Sequence, residues 1–213
     1  MAQVKICGIT NLDDARLAVG EGAWAIGLIF APESVRRCSV DAAEEIGAEM
    51  KRKVEVAGVF TNAHLDELAD VAERCSLTLL QLHGEEGPAY CDEAARRTGC
   101  RVIKAVRAKD AATVRALRSY RVDYHLLDAH VPGRRGGTGE TFAWDLAGER
   151  GSSAPLILSG GICPDNAADA VRAVQPFAVD SASGTEASPG RKDPAKVNAL
   201  IRAVSQASAV AAA

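Results

Sequence analysis

Short apolar runs recur along the whole chain, separated by stretches with helix-start signals. The runs cover residues 4–7, 25–30, 54–60, 77–82, 101–106, 124–128, 155–159 and 177–180. They are rich in Val, Ile and Leu with little polar alternation, which is how strands buried on both faces read. Between them, Asn11 precedes Leu12-Asp13-Asp14, Ser39 precedes Val40-Asp41-Ala42, and Asn62 precedes a helical stretch at 64–73. Pro164 and Pro194 stand near helix starts, where a missing N–H does no harm. A strand–helix alternation repeated eight times predicts parallel strands joined by right-handed crossovers. Eight such units close into a compact α/β structure, a (β/α)8 TIM barrel spanning 1–213 as one domain. An open doubly wound sheet is the alternative. Against it, Cys7-Gly8-Ile9-Thr10-Asn11 is not the glycine turn that holds a dinucleotide. The weakly polar tail at 205–213 reads as a fraying helix end.

Composition narrows the function without naming it. With 47% hydrophobic and 25% charged residues the chain reads as an ordinary globular protein. No apolar stretch approaches the ~20 residues of a membrane span. Met1-Ala2-Gln3-Val4-Lys5 leads straight into the first strand without a secretory pattern, so a cytoplasmic location is expected. The six cysteines are scattered and form no C-x-x-C pair, which speaks against zinc and disulfides and for a reducing compartment. No metal and no organic cofactor is signalled. A net charge of −3 gives no case for nucleic acid, so an anionic substrate has to be held by local groups. Monomer and homodimer are both compatible with the sequence.

Barrel chemistry lies at the C-terminal ends of the strands. The strand tips are Cys7, Phe30, Phe60, the 81–83 turn, Asp128, Gly160-Gly161 and Asp180-Ser181. The glycine turn Gly160-Gly161 after strand seven and the segment Ser183-Gly184 after strand eight occupy this fold's habitual phosphate position. A third loop, Gly136-Gly137-Thr138-Gly139, follows strand six and is placed to close over the same group. Cys7 is a candidate proton acceptor, and Lys5, two residues earlier on the same face, is expected to depress its pKa. Asp128 is the one acidic residue of its run; its plain alternative is an ion pair with an inward Lys5 or Lys104. Asp180 either orients a sugar hydroxyl or pairs with a lysine. In the loop after strand two an arginine is suited to a planar carboxylate, and Arg37 reads better as solvated. His83 either lines the site or organises its loop. His64, His125 and His130 lack partner spacing. A thiol and a carboxylate at the mouth beside phosphate-binding turns describe an acid–base isomerase for a phosphorylated sugar.

Several segments together resemble the phosphoribosylanthranilate isomerase family of tryptophan biosynthesis. They are Val4-Lys5-Ile6-Cys7-Gly8-Ile9-Thr10, Gln81-Leu82-His83-Gly84-Glu85, Leu126-Leu127-Asp128, Gly136-Gly137-Thr138-Gly139 with Phe142 and Trp144, Leu158-Ser159-Gly160-Gly161-Ile162, and Val179-Asp180 with Ser183-Gly184. The resemblance implies Cys7 as general base, Asp128 as general acid and Arg36 as partner of the anthranilate carboxylate, in an Amadori rearrangement of a small phosphorylated substrate. Val35 before the arginine leaves Arg36 and Arg37 both open, and Ala143 stands where the family often has aspartate. A histidine-pathway sugar isomerase would carry aspartate at the first strand tip. A non-catalytic ligand-binding barrel would not need both Cys7 and Asp128. A thiol-redox role fails because Cys7 has no resolving cysteine nearby.

Overall fold

The computed structural model describes residues 1–128 and 142–211. Eight parallel strands form a closed barrel in chain order: β1 (Gln3–Cys7), β2 (Ala25–Ile29), β3 (Glu55–Phe60), β4 (Leu79–Leu82), β5 (Arg101–Arg107), β6 (Tyr124–Asp128), β7 (Leu156–Ser159) and β8 (Ala178–Ser181). Each expected run holds a strand, with no end moved by more than two residues. The intervening helices are α1 (Leu12–Gly20), α2 (Val40–Met50), α3 (Leu65–Arg74), α4 (Pro88–Thr98), α5 (Ala111–Ala116), α6 (Phe142–Asp145), α7 (Ala167–Val174) and α8 (Pro194–Ala211). α6 is a single turn that continues as a 3-10 turn, Leu146–Arg150. A hairpin that the hydrophobic pattern did not predict, β9 (Glu186–Ser188) and β10 (Arg191–Lys192), lies between β8 and α8.

The helix signals are partly realised. Asn11 and Ser39 cap α1 and α2, accepting from the backbone N–H of Asp14 and Ala42. Asn62 does not cap α3. It adopts a left-handed backbone (φ 51°), and its Oδ1 accepts from the Glu85 N–H, so it joins two loops instead. The tail is likewise not frayed through its length. Ser208 is buried, accepts from the Ala2 N–H at 2.9 Å and donates to the Val204 carbonyl.

Alternation along each strand separates two apolar clusters. Val4, Ile6, Ile26, Leu28, Leu80, Leu82, Val102, Leu127, Leu158 and Val179 face the helices. Ala25, Ala57, Leu79, Ile103, Ala105, Tyr124, Leu126, Ile157 and Ala178 fill the barrel. Trp24, Tyr124 and Phe177 floor its N-terminal end, with ring centroids 5.0–5.5 Å apart. The same alternation sends Lys5, Cys7, Gly27, Gln81, Asp128, Ser159 and Asp180 into the barrel above that packing. Lys104 has the opposite parity and faces the helix layer, so it is not the inward lysine considered for Asp128.

His125, on the helix side of β6, is fully buried, and neither ring nitrogen has a hydrogen-bond partner among the described residues. Burial, reinforced by the nearby Arg150 cation, lowers its pKa to about 4. The ring lies near the Tyr120 backbone, which pulls the other way without closing a bond. The folded state therefore keeps this imidazole neutral where the unfolded chain, at its ordinary value near 6.5, protonates. Stability from this site is intact above pH ~6.5 and falls toward pH ~4, by up to about 3 kcal/mol. His125→Leu is expected to flatten that acid slope in urea unfolding measured at pH 7 and pH 5; an unchanged slope would remove His125 as its source.

Candidate active site

Cys7 ends β1 and faces Gly27 across the β1–β2 ladder. A Cβ at position 27 would stand 2.7 Å from Cys7 Sγ and 3.1 Å from Lys5 Nζ, so only glycine leaves the thiol its room. One layer deeper, the fully buried Lys5 ammonium donates to Asp180 Oδ1 at 2.8 Å. Asp180 Oδ2 accepts from Ser159 Oγ at 3.1 Å. Of the two readings of Asp180, the lysine pair is the one realised. Burial works against the Lys5 charge, but Asp180 and Cys7 outweigh it and hold Lys5 above its usual range.

The thiol itself is not depressed. Burial pushes Cys7 up, Lys5 pulls it down by charge and hydrogen bonding, Asp180 pushes it up, and Lys192 pulls it down; the net shift is upward. Lys5 therefore acts in the expected direction, but the expectation of a depressed thiol is overturned. Desolvation, with the Asp180 charge added, exceeds what Lys5 and Lys192 together offset.

Asp128 ends β6, paired in register with Arg107 of β5 and Ser159 of β7. Its Oδ2 lies 3.6 Å from His83 Nε2. Gln81 Nε2 lies 3.3 Å from His83 Nδ1. The Gln81 contact holds the ring with Nε2 toward the carboxylate. His83 thus lines the site, and Lys5 and Lys104 are committed to Asp180 and Glu86. Side chains from adjacent strands form one arc along the inner wall: Cys7 and Lys5 on β1, Asp180 on β8, Ser159 on β7 and Asp128 on β6. Cys7 and Asp128 stand at its two ends.

Arg36 and Arg37 separate clearly. Arg37 is exposed. The Arg36 stem lies over Gly8, its Cδ 2.8 Å from where a Cβ there would sit, next to the base candidate. Its guanidinium is held by Glu186: Nε at 2.8 and 3.0 Å from the two carboxylate oxygens, Nη2 at 2.8 Å. Glu186 Oε1 also accepts from the Gly190 N–H at 3.2 Å and lies 3.4 Å from Lys192 Nζ. Lys192 is buried and donates to the Cys7 carbonyl at 2.7 Å and the Ala182 carbonyl at 3.0 Å. Burial raises the cost of ionising Glu186, yet Arg36 and Lys192 overcome it and keep its carboxyl low.

Glu186 and Lys192 carry no signal in the sequence because both sit on the unforeseen hairpin. The Lys104–Glu86 pair is equally silent there. Lys104 Nζ donates to Glu86 Oε2 at 2.7 Å and to the Gly84 carbonyl at 2.8 Å, and Glu86 accepts from the N–H groups of Asn62 and Gly84. A buried charge thereby fixes the loop that follows His83.

The two phosphate-loop candidates pack together. Gly160 and Gly161 take positive φ values of 92° and 70°. Asn166 bridges their loop, accepting from the Cys163 N–H and donating to the Gly161 carbonyl. Ser181 Oγ donates to the Ile162 carbonyl at 2.7 Å, and a side chain at Gly184 would collide with that same carbonyl. Ser183 is exposed beside it. Gly137 and Thr138, with His130, lie outside the described residues. Among the described residues no group of three or more His, Cys, Asp or Glu is arranged to hold a metal ion, and no helix is long and apolar enough to cross a membrane.

Comparison with known proteins identifies a family. The family model described as N-(5'-phosphoribosyl)anthranilate (PRA) isomerase matches residues 4–203. The N-(5'-phosphoribosyl)anthranilate isomerase of Citrifermentans bemidjiense is 49% identical over 201 residues, 94% of this chain and 96% of that one. A phosphoribosyl anthranilate isomerase solved with reduced 1-(o-carboxyphenylamino)-1-deoxyribulose 5-phosphate is 38% identical, with TM-score 0.83 over 97% of this chain and 100% of its own. Monomers made from the dimeric Thermotoga maritima enzyme are 37% identical, with TM-score 0.82 over 97% and 100% of the two chains. The chain belongs to the N-(5'-phosphoribosyl)anthranilate isomerase family, the aldose–ketose isomerases of tryptophan biosynthesis.

Proposed function

We propose that residues 1–213 work as one catalytic domain in the cytoplasm, as monomer or homodimer, with Cys7 as general base and Asp128 as general acid. The substrate is N-(5-phosphoribosyl)anthranilate and the product 1-(2-carboxyphenylamino)-1-deoxyribulose 5-phosphate. The observation that carries this reading is the arc: a sulfur and a carboxylate at the ends of inward-facing β1 and β6, joined along the wall by Lys5, Asp180 and Ser159.

Protonated Asp128 gives its proton to the furanose ring oxygen, the C1–O bond breaks, and the nitrogen lone pair forms an iminium. The Cys7 thiolate then takes the proton from C2, and those electrons close a C1–C2 double bond while the iminium is neutralised. The resulting enolamine gains a proton at C1 and loses its hydroxyl proton to become the ketone. Acid and base must hold opposite protonation states at one pH, so their surroundings must differ. His83, held by Gln81, stands beside Asp128 at the mouth. Gly160, Gly161, Ser183 and Gly184 receive the phosphate, with Gly137 and Thr138 closing over it, while Asp180 steadies Lys5 below the ribose. Arg36 holds the anthranilate carboxylate. No cofactor takes part in this scheme.

Each positioned proton transfer contributes about 10² to 10⁴ in rate. Cys7→Ala and Asp128→Asn should each lower kcat by about that factor while still binding a product analogue; wild-type decay of anthranilate fluorescence in either variant removes that residue's role. Because Cys7 is shifted upward, kcat/KM should climb with pH across the alkaline range. Lys5→Met removes the ammonium that favours the thiolate, so its alkaline limb should move to higher pH; an unmoved limb would show that Lys5 does not tune the base. Arg36→Ala should raise KM strongly, and an unchanged KM would shift the carboxylate anchor elsewhere.

A further inference from the structure

We infer that Glu186 is a positioning residue that sets which edge of Arg36 meets the substrate, and so makes the site selective for an N-aryl group bearing an ortho carboxylate. The inference rests on the reading of Arg36 as the carboxylate anchor. A guanidinium has two edges able to bind a carboxylate through parallel bonds, Nε/Nη2 and Nη1/Nη2. Glu186 takes the first edge with all three of its short contacts. Among the described residues every hydrogen bond from this guanidinium goes to Glu186, which leaves the Nη1/Nη2 edge for a second carboxylate.

Glu186 is itself held on several sides. Its side chain is about 5% exposed, and Arg36, Gly190 and Lys192 saturate its Oε1. Lys192 also donates to the Cys7 carbonyl, so one buried ammonium ties the counter-ion of the anchor to the backbone of the base. The Arg36 stem crosses Gly8, the residue after Cys7. Carboxylate anchor and base thus share one rigid frame, and the distance between the bound aryl carboxylate and the sulfur is fixed before substrate arrives. An arginine without that frame would keep its charge but sample several orientations, losing pre-organisation rather than attraction.

A different role predicts the opposite result. If Glu186 merely occupied Arg36 until substrate displaced it, weakening Glu186 would tighten binding. The test uses two substrates, the phosphoribosyl amines of anthranilate and of aniline, which differ only in the carboxylate, with wild type, Glu186→Gln, Glu186→Asp and Arg36→Ala. Glu186→Gln keeps the shape and loses the charge. Its kcat/KM preference for the anthranilate substrate should fall on the order of tenfold, carried by KM for that substrate, the scale expected for one charge-assisted hydrogen bond. Glu186→Asp, charged but shorter, should land between. A lower KM for the carboxylate substrate, or an undiminished preference, overturns the inference. An equal loss on both substrates also overturns it, because a purely structural role moves both alike. Arg36→Ala serves the other question: if it keeps the preference, the carboxylate assignment beneath the inference fails, whatever Glu186 does.

Discussion

Charge that cannot reach water is the constraint around which this barrel is built. Lys5 has no exposed surface, and its ammonium is tolerable only because Asp180 stands 2.8 Å away on the neighbouring strand. That pair bridges β1 and β8, the ladder at which the sheet closes on itself, where Lys5 and Asp180 are register partners. A slip of one residue would turn Lys5 into the apolar helix layer and Ile6 into the mouth. Breaking such a buried pair by removing one member costs about 3–5 kcal/mol, because the survivor stays charged and dry. The closure of the barrel and the placement of its chemistry are thus one electrostatic condition.

The same solution recurs at two further places. Lys104 pairs with Glu86 outside the barrel wall and pins the loop after β4; Lys192 sits with Glu186 and backbone carbonyls at the rim and pins the end of β1. Lys5 and Lys104 each pair with a carboxylate from another segment, while Lys192 and Glu186 share one hairpin that the Lys192 ammonium ties to the end of β1 through the Cys7 carbonyl. Among the described residues, the loop after β4 and the β9–β10 hairpin are thus held by buried ions rather than by helix packing alone.

The fold is legible in the sequence because closed parallel strands are apolar on both faces, and eight short Val, Ile and Leu runs alternating with helix starts suit no other architecture as well. Cys7, Asp128 and the glycine turns are legible because each interrupts or ends such a run. What escapes is carried by contacts between residues distant in sequence. Glu186 and Lys192 belong to a hairpin of three- and two-residue strands, too short for any periodicity to register. Asn62 resembles a helix cap because its chemistry suits one; the Glu85 N–H claims its side chain instead. The sign of the Cys7 shift is hidden because sequence shows the neighbouring lysine but not the depth of burial.

That burial has a bearing on the chemistry of the sulfur itself. Only a thiolate is readily oxidised, and susceptibility follows ionisation and access together. Cys7 is about 4% exposed and disposed to keep its proton. Burial thus limits both the access of peroxides and disulfides to this sulfur and its tendency to form the reactive thiolate. The enclosure that makes this thiol harder to ionise also sets it apart from the exposed, low-pKa cysteines that serve as redox sensors.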